Sequence, residues 1–423
     1  MQKYDFSTID VVTSMVQEHN RGLIVMAVSN DLLTDNRVLR HCTTLHNAGF
    51  DVSLIGRELD NPNLPQVDFN VDRLHLRHRR GWRFYAELNI KLFRTMRRMR
   101  PTIVWANDTD TLPACYATAR ATGAHLVFDA HELFPEVPEL QGRWLVKRVW
   151  QTIERMLMPH ATQCLTVCQS IADYYRGKLG VEMTVVRNLP NMQSVPSTPP
   201  STTAHGAQLH RWAEWLADRD WFSMLYQGAV NKGRGVEWAI EATAMMPRCR
   251  LMVVGSGDEW AQMKQLADSS TAANRIVFTG RMMPEDLQWL TAHADCGLIM
   301  LHDIGLSYHF ALPNRIGDMV KAAVPMVVSN LPEMANVVEK YGIGAVMSSQ
   351  NADGLTTAVC RVQKEWGKAN LAIRRQRFAK ARAEMDWQRE QQGLIAVANA
   401  AVDAPSKGDR CHKKYNRKQK KQR

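Results

Sequence analysis

The sequence predicts an α/β protein made of two doubly wound parallel-sheet halves, one after the other. Three observations carry this. Short apolar runs recur without polar alternation, the pattern of strands buried on both faces of a parallel sheet. Helix-period segments separate these runs. A stretch rich in Pro, Ser and Thr, residues 191–206, interrupts the alternation once, after which it restarts. A length of 423 residues suits two or three domains.

In the first half, GLIVMAV is a strand ending at Ser29-Asn30-Asp31. The helix VLRHCTTLHNAG follows, closed by Gly49, and then the strand DVSLIG. PTIVWAND (strand), TLPACYATARATG (helix) and HLVFDAHE (strand) continue it. A helix through WLVKRVWQTIERMLM, a strand QCLTVC, a helix SIADYYRGKLG and a strand MTVVRN complete it. The second half alternates FSMLYQG, GVEWAIEATAMM, CRLMVVGSG, EWAQMKQLAD, RIVFTG, EDLQWLTAHA, CGLIML, NRIGDMVKAA and PMVVSN. A helix from Trp387 to Ala400 is the last expected element. The expected organisation is an N-terminal extension (1–20), a first Rossmann-like half (21–190) and a linker (191–213). A second half (214–385), a C-terminal helix crossing back (386–402) and a basic tail without structure (403–423) follow. Open parallel sheets bind ligands at the carboxyl ends of their strands, so the expected site is a cleft between the halves.

Composition narrows the function classes. With 45% apolar and 22% charged residues, the chain is neither wholly disordered nor collagen-like. No uncharged apolar run approaches the ~20 residues of a membrane-spanning helix. The N-terminal residues are too acidic and polar to read as a signal peptide, so a cytoplasmic location is expected. The eight cysteines lie far apart except Cys164 and Cys168, whose spacing without a second Cys/His pair is not a zinc site. Buried free thiols in a reducing compartment are expected, and no metal.

The net charge of +11 is concentrated in two places. Residues 73–100 hold ten Lys and Arg against Glu87, and the tail from Lys407 holds nine against Asp409. The remainder is mildly acidic, so the basicity marks local anion-facing surfaces. A nucleic-acid-binding fold motif is absent, and no nucleic-acid partner is expected. The segment GWRFYAELNIKLFRTMRRMR is an amphipathic helix. It either packs its apolar face on the first half or docks on an anionic membrane surface.

Several motifs fail on inspection. The first strand–helix turn, SNDLLTDN, lacks glycine, and in Gly255-Ser256-Gly257 the third glycine position is Trp260, so a nicotinamide fingerprint is absent. His131-Glu132 would need a second histidine at Pro135 to bind zinc. What remains is a His and a Glu at a strand's carboxyl end, where catalytic groups gather. In Asp108-Thr109-Asp110, Asp110 reads as the N-cap of the next helix rather than a metal ligand. Asn30, Asp31, Asn107, Asp108 and Glu132, near first-half strand ends, are candidates for the first-half side of the cleft.

The second half offers an anion site. Arg234 lies within GAVNKGRGVE, whose glycines let a ligand approach the backbone, and the helix after Gly235 presents free N–H groups. Asn314 and Arg315 open a later helix. An arginine there opposes the helix dipole unless an anion sits beside it. Arg234 and Arg315 together describe a diphosphate site, and Asp318 is one turn on, placed to accept ribose hydroxyls.

NDLLTDNRVLRHCTTLHNAGFDVSLIGR, IVWANDTDTL, LVFDAHELFPEVPEL, YQGAVNKGRGVEWAIEA, VVGSGD, IVFTGR and ALPNRIGDMVKAAVPMVVSNLPEM occur in the order of one family. Over residues 22–400 the chain resembles the retaining GT-B-fold glycosyltransferases, family four. The resemblance implies two Rossmann-like domains, a nucleoside diphosphate sugar as donor substrate with no other cofactor, and no metal requirement. It also implies an acceptor held by the first domain: a glycan or lipid-linked hydroxyl of cell-surface polysaccharide or glycolipid synthesis. Arg234 matches the family's phosphate lysine, Asp318 the second of two glutamates spaced eight apart, and His131 the histidine against the donor sugar. Ala229 stands where the family has an arginine, and Phe310 replaces the first glutamate. Two other readings share the fold: a nucleotide-sugar epimerase, and a catalytically degenerate protein that binds a nucleotide sugar or a partner.

Overall fold

The computed structural model describes residues 21–30, 32, 35–59, 66–192, 204–367 and 369–405. The basic tail from residue 406 and the extension before residue 21 lie outside the described residues, as do Asp31 and Cys411. Two compact units form. One takes the chain up to Ala130, Trp150–Leu165 and the chain from Leu394; the other takes His131–Val149 and Thr166–Gly393.

The first sheet contains β1 (Leu23–Ala27), β2 (Asp51–Arg57), β3 (Asn70–Leu74), β4 (Ile103–Asn107), β5 (His125–Ala130), β6 (Gln163–Thr166) and β7 (Thr184–Val185). The strand order is β3-β2-β1-β4-β5-β6-β7. Its crossovers are α1 (Asn36–Asn47), α2 (Gly81–Met99), α3 (Leu112–Thr122), α4 (Trp144–Leu157) and α5 (Gln169–Leu179). The central strands are mostly apolar because helices cover both faces, and Trp105 of β4 is fully buried. α1 starts where Asp35 Oδ1 accepts the Val38 N–H at 3.2 Å, two residues before the apolar periodicity begins. β3 was not anticipated. Its sequence NVDRL is largely polar, as an edge strand allows.

α2 buries Phe84, Leu88, Leu92 and Met96, four residues apart along one face, while Trp82 and Ile90 stay exposed. Glu87, its one acid, accepts the backbone N–H groups of Arg77 (3.0 Å) and His78 (3.1 Å) and pairs with Lys91. These bonds, chiefly the one from Arg77, hold its carboxyl well below the usual carboxylate range.

The second sheet contains β8 (Phe222–Gln227), β9 (Cys249–Val254), β10 (Ile276–Gly280), β11 (Cys296–Ile299), β12 (Met326–Val328) and β13 (Gly344–Val346), in the order β10-β9-β8-β11-β12-β13. α6 (Ala204–Ala217), α7 (Val236–Met245), α8 (Trp260–Asp268), α9 (Pro284–Thr291), α10 (Leu306–His309), α11 (Arg315–Ala322), α12 (Pro332–Tyr341), α13 (Ala352–Trp366), α14 (Leu371–Glu384) and α15 (Trp387–Val402) complete the chain. Every strand pair recorded within either sheet is parallel. In both sheets the order reverses, between β1 and β4 and between β8 and β11. At such a switch point the connections leave in opposite directions and open a crevice at the strand ends.

Three further expectations differ from the structure. The linker expected over 191–213 contains most of α6, because Leu209, Ala213 and Leu216 recur at helical spacing and bury one face. The helix α3 has Thr111, not Asp110, at its N-cap. With Asp110 as cap, the third helical residue would be Pro113, which has no N–H to donate. Residues 131–149, read with the first half, pack with the second unit. Six described cysteines are buried and Cys360 is exposed.

Candidate active site

The second unit gathers polar groups at its strand-order reversal. β8 ends at Gln227, and Gly228 turns the chain at φ +131°, where a Cβ would meet Arg315 Cδ at 3.3 Å. Glycine is needed there for the backbone angle and for the passage of the guanidinium. Gly235, at φ +69°, is the N-cap of α7, and a Cβ on it would lie 2.7 Å from Met300 Cβ. The turn between them is tied by the Arg234 N–H to the Asn231 carbonyl (3.2 Å). His302 buttresses it from behind. Its N–H donates to the Gly233 carbonyl (2.9 Å), its ring stacks on Trp238 at 4.1 Å, and Nε2 pairs with Glu237 at 2.6 Å.

Two arginines meet at this turn. Arg234 lies over the Tyr308 ring at 4.9 Å, and its buried Nε has no hydrogen-bond acceptor. Arg315 is the first residue of α11 and is almost fully buried. It lies over the Tyr226 ring at 5.1 Å, and its Nη1 donates to the Gln227 carbonyl at 3.0 Å. Burial, with the like charge of Arg234 behind it, lowers the proton affinity of Arg315 below that of a free guanidinium. Burial likewise raises the Tyr308 hydroxyl above its ordinary value, against the pull of Arg234. Both cations are matched with ring faces and a carbonyl rather than with carboxylates.

Asp318 is half-buried and accepts from Gln227 Nε2 at 3.2 Å, while Gln227 Oε1 accepts from Thr291 Oγ1 at 2.9 Å. The second bond orients the amide, so the first is directed. Asn314 is the exposed N-cap of α11 and makes no side-chain cap bond.

His131 and Glu132 follow β5 and join the same unit. Glu132 Oε2 accepts from Ser307 Oγ at 3.3 Å. Its surface remains open to solvent, but protein crowds it on its inner side. That partial desolvation, then the like charge of Glu139, raises its carboxyl above the usual carboxylate value; Ser307, His131 and Arg234 oppose the rise. Phe310 is half-buried, and its carbonyl accepts from Cys168 Sγ at 3.2 Å. Burial pushes the Cys168 thiol up to about 12, so this sulfur is an inert donor.

Arg234, Arg315, Asp318, Asn314, His131 and Glu132 thus belong to one unit. Asn30, Asn107 and Asp108 belong to the other, and Asp31 lies outside the described residues. Asn30 is exposed and donates to Asp35 at 3.4 Å. Asn107 is nearly fully buried, with Nδ2 on the Ala27 carbonyl at 3.0 Å, so it joins β4 to β1. Asp108 adopts a left-handed φ of +62°, and its N–H donates to the Asp129 carbonyl at 2.9 Å. Among the described residues, no three His, Cys, Asp or Glu side chains come together as metal ligands.

Sequence reasoning missed Tyr226, Tyr308, Gln227 and Ser307. It also missed a buried cluster in the first unit: Arg37 donates to both Asp129 oxygens (3.2 and 2.7 Å), and His41 Nδ1 lies 3.3 Å from Asp129. The signal was available, since Asp129 is a lone acid inside the apolar strand HLVFDA.

Two Rossmann-like parallel-sheet domains, with a cationic turn at the strand-order reversal of the second, define the GT-B class of glycosyltransferase fold. Solved structures agree. Alr3699/HepE of Anabaena, solved with UDP-glucose, is 14% identical with a TM-score of 0.70, over 90% of this chain and 100% of that one. Sucrose-phosphate synthase of Thermosynechococcus elongatus is 17% identical, TM-score 0.66, over 88% and 97%. A glycosyltransferase of Rickettsia africae is 12% identical, TM-score 0.70, over 91% and 100%. No curated protein matches the sequence.

Family models place the chain more closely. The glycosyl transferase 4-like domain matches residues 34–192, and the glycosyl transferases group 1 domain matches residues 222–365. The chain belongs to this family of glycosyltransferases.

Proposed function

We infer that the protein transfers a sugar from a nucleoside diphosphate sugar to an acceptor hydroxyl with retention at the anomeric carbon. The observation that carries this is the pair Arg234 and Arg315, two cations that, among the described residues, form no ion pair with a carboxylate and lie beside the N-terminus of α7. The diphosphate supplies the missing anion. Its charge is neutralised by the guanidinium groups and by the first-turn N–H groups of α7, and the reading needs no metal. Asp318, held by Gln227, is oriented to accept ribose hydroxyls. Alr3699/HepE was solved with UDP-glucose, which makes UDP sugars the first donors to try.

In the mechanism we favour, the anomeric carbon–oxygen bond to the diphosphate breaks as the acceptor oxygen arrives on the same face. The departing phosphate oxygen takes the acceptor proton, so the protein need not supply a strong base. His131, next to Glu132 in the chain, orients the sugar and stabilises the positive charge that develops on it. His131→Ala is expected to lower kcat for transfer and for slow donor hydrolysis, with the nucleotide Kd unchanged. Wild-type turnover in this variant removes His131 from the mechanism.

The acceptor is a glycan or lipid-linked hydroxyl of cell-surface polysaccharide or glycolipid synthesis, reached from the cytoplasmic face of the membrane. The arginines of α2 beside the exposed Trp82 and Ile90 support a peripheral contact with anionic lipid. Replacing Arg79, Arg80, Arg83 and Arg94 with Gln is expected to abolish co-sedimentation with anionic vesicles at low salt. No binding by the wild-type chain under those conditions leaves α2 as a solvated face.

A further inference from the structure

The turn between β5 and α4 encloses a pocket that the donor site does not use. Its volume is about 410 Å³, within the range of small-molecule sites, and it lies between residues 135–147 and Gly305. Pro135, Val137 and Leu140 contribute apolar surface. The Trp144 indole stands at the rim, 69% exposed, and among the described residues no ring or cation covers it. The polar groups are the Gln141 carboxamide and an ion pair between Lys147 Nζ and Glu136 Oε2 at 2.5 Å.

One wall is bare backbone. Gly305 sits at φ +143°, and a Cβ there would come within 3.1 Å of Gln141 Nε2 and the Glu136 carbonyl. A side chain at 305 would push on the polar side of the pocket. Gly305 leads directly into α10, whose Ser307 holds Glu132. The pocket therefore adjoins the donor residues within the same unit.

An open aromatic plate, a free carboxamide and a fixed carboxylate–ammonium pair match one chemistry. A pyranose ring has a flat face of C–H groups that covers an indole, and a rim of hydroxyls that both donate and accept. A purely apolar ligand would strip water from Gln141 and the ion pair without replacing its hydrogen bonds. A free phosphate would face the Glu136 carboxylate. Resting on the glycosyltransferase reading of the neighbouring site, we propose that this pocket is a saccharide subsite. It takes one pyranose of the acceptor against Trp144, with hydroxyls on Gln141 and the Glu136–Lys147 pair. It fixes which acceptor glycan is presented and has no part in donor binding.

The test uses the full chain, saturation-transfer NMR and a panel of methyl α-glucopyranoside, methyl β-galactopyranoside, lactose, maltose and diacetylchitobiose. UDP and GDP binding are measured in parallel by calorimetry. At least one saccharide is expected to receive saturation from the wild-type protein. Its affinity should fall about tenfold or more in Trp144→Ala, a loss on the scale of one removed anchor contact. Trp144→Phe should restore most of it, Gln141→Ala should weaken it, and the UDP Kd should be the same in all variants. No saturation transfer to any member of the panel overturns the subsite, as does undiminished binding in Trp144→Ala. A wild-type chain that binds the saccharide through Trp144 but binds neither UDP nor GDP sinks the donor reading and leaves the subsite standing.

Discussion

Arg37 in the first unit and the pair Arg234 and Arg315 in the second are matched in opposite ways, whereas Arg250 and Arg374 of the second unit pair with Asp218 and Asp295 as Arg37 does with Asp129. In the first, Arg37 is closed off: both Asp129 oxygens accept from it, and His41 stands against the same carboxylate. In the second, Arg234 has an Nε without an acceptor, Arg315 has a backbone carbonyl, and both lean on tyrosine rings. Removing a charge from water is costly unless it is paired and hydrogen-bonded. The first unit meets that cost internally, so its cluster is structural. Among the described residues, Arg234 and Arg315 of the second have no ion pair where the helix α7 also begins, and under the function proposed above an anionic ligand would complete them.

The largest expected effect breaks the closed cluster. Asp129→Ala leaves the Arg37 charge buried without its partner, which costs about 3–5 kcal/mol. Chemical denaturation should show the loss, and nucleotide affinity of the folded protein should be unchanged. A variant as stable as wild type would mean that water reaches Arg37 and that Arg37 and the Arg234–Arg315 pair do not differ as described.

Opening the other side should reverse the pattern. Arg234→Ala and Arg315→Ala each remove charge-assisted contacts worth about 1.5–3 kcal/mol, so donor affinity should fall about tenfold or more. Arg234→Ala should leave stability unchanged or raised, because it also relieves Arg315 of a like charge. Asp318→Asn should weaken the donor less, through ribose alone. Unchanged calorimetric affinity in both arginine variants puts the diphosphate elsewhere.

The smallest effect concerns Glu132. Its folded carboxyl holds its proton to higher pH than in the unfolded chain. The native state therefore loses stability as pH rises from the ordinary carboxylate range through the raised value. Glu132→Gln removes this dependence and keeps the bond to Ser307. The Tm difference between variant and wild type should grow in the variant's favour as pH rises; a constant difference shows that Glu132 titrates normally. Solvent at the Glu132 surface keeps the effect small.

Much of this was legible in the sequence. Doubly covered strands are apolar at nearly every position, and crossover helices are amphipathic, so β1, β2, β4, β5 and β8–β12 could be read from local pattern alone. Arg315 could be selected because a basic residue at a helix start opposes the dipole, and Arg234 because it lies in a glycine-rich turn just before a helix. β3 was hidden by its polar edge sequence, and α6 by the Pro-rich stretch before it. The elements between residues 331 and 384 lie beyond the last strand that the reading identified.

The sequence by itself determined the two alternating α/β halves, the cationic turns and the family, because each is written in residues close together along the chain. Tertiary structure alone decided what those charges face. Arg315 meets Tyr226 and Gln227 from 88 or more residues away, Glu132 meets Ser307 across 175, and Arg37 meets Asp129 across 92. Whether a buried charge is satisfied depends on partners that only folding brings within hydrogen-bond reach, and no periodicity in the chain records that distance.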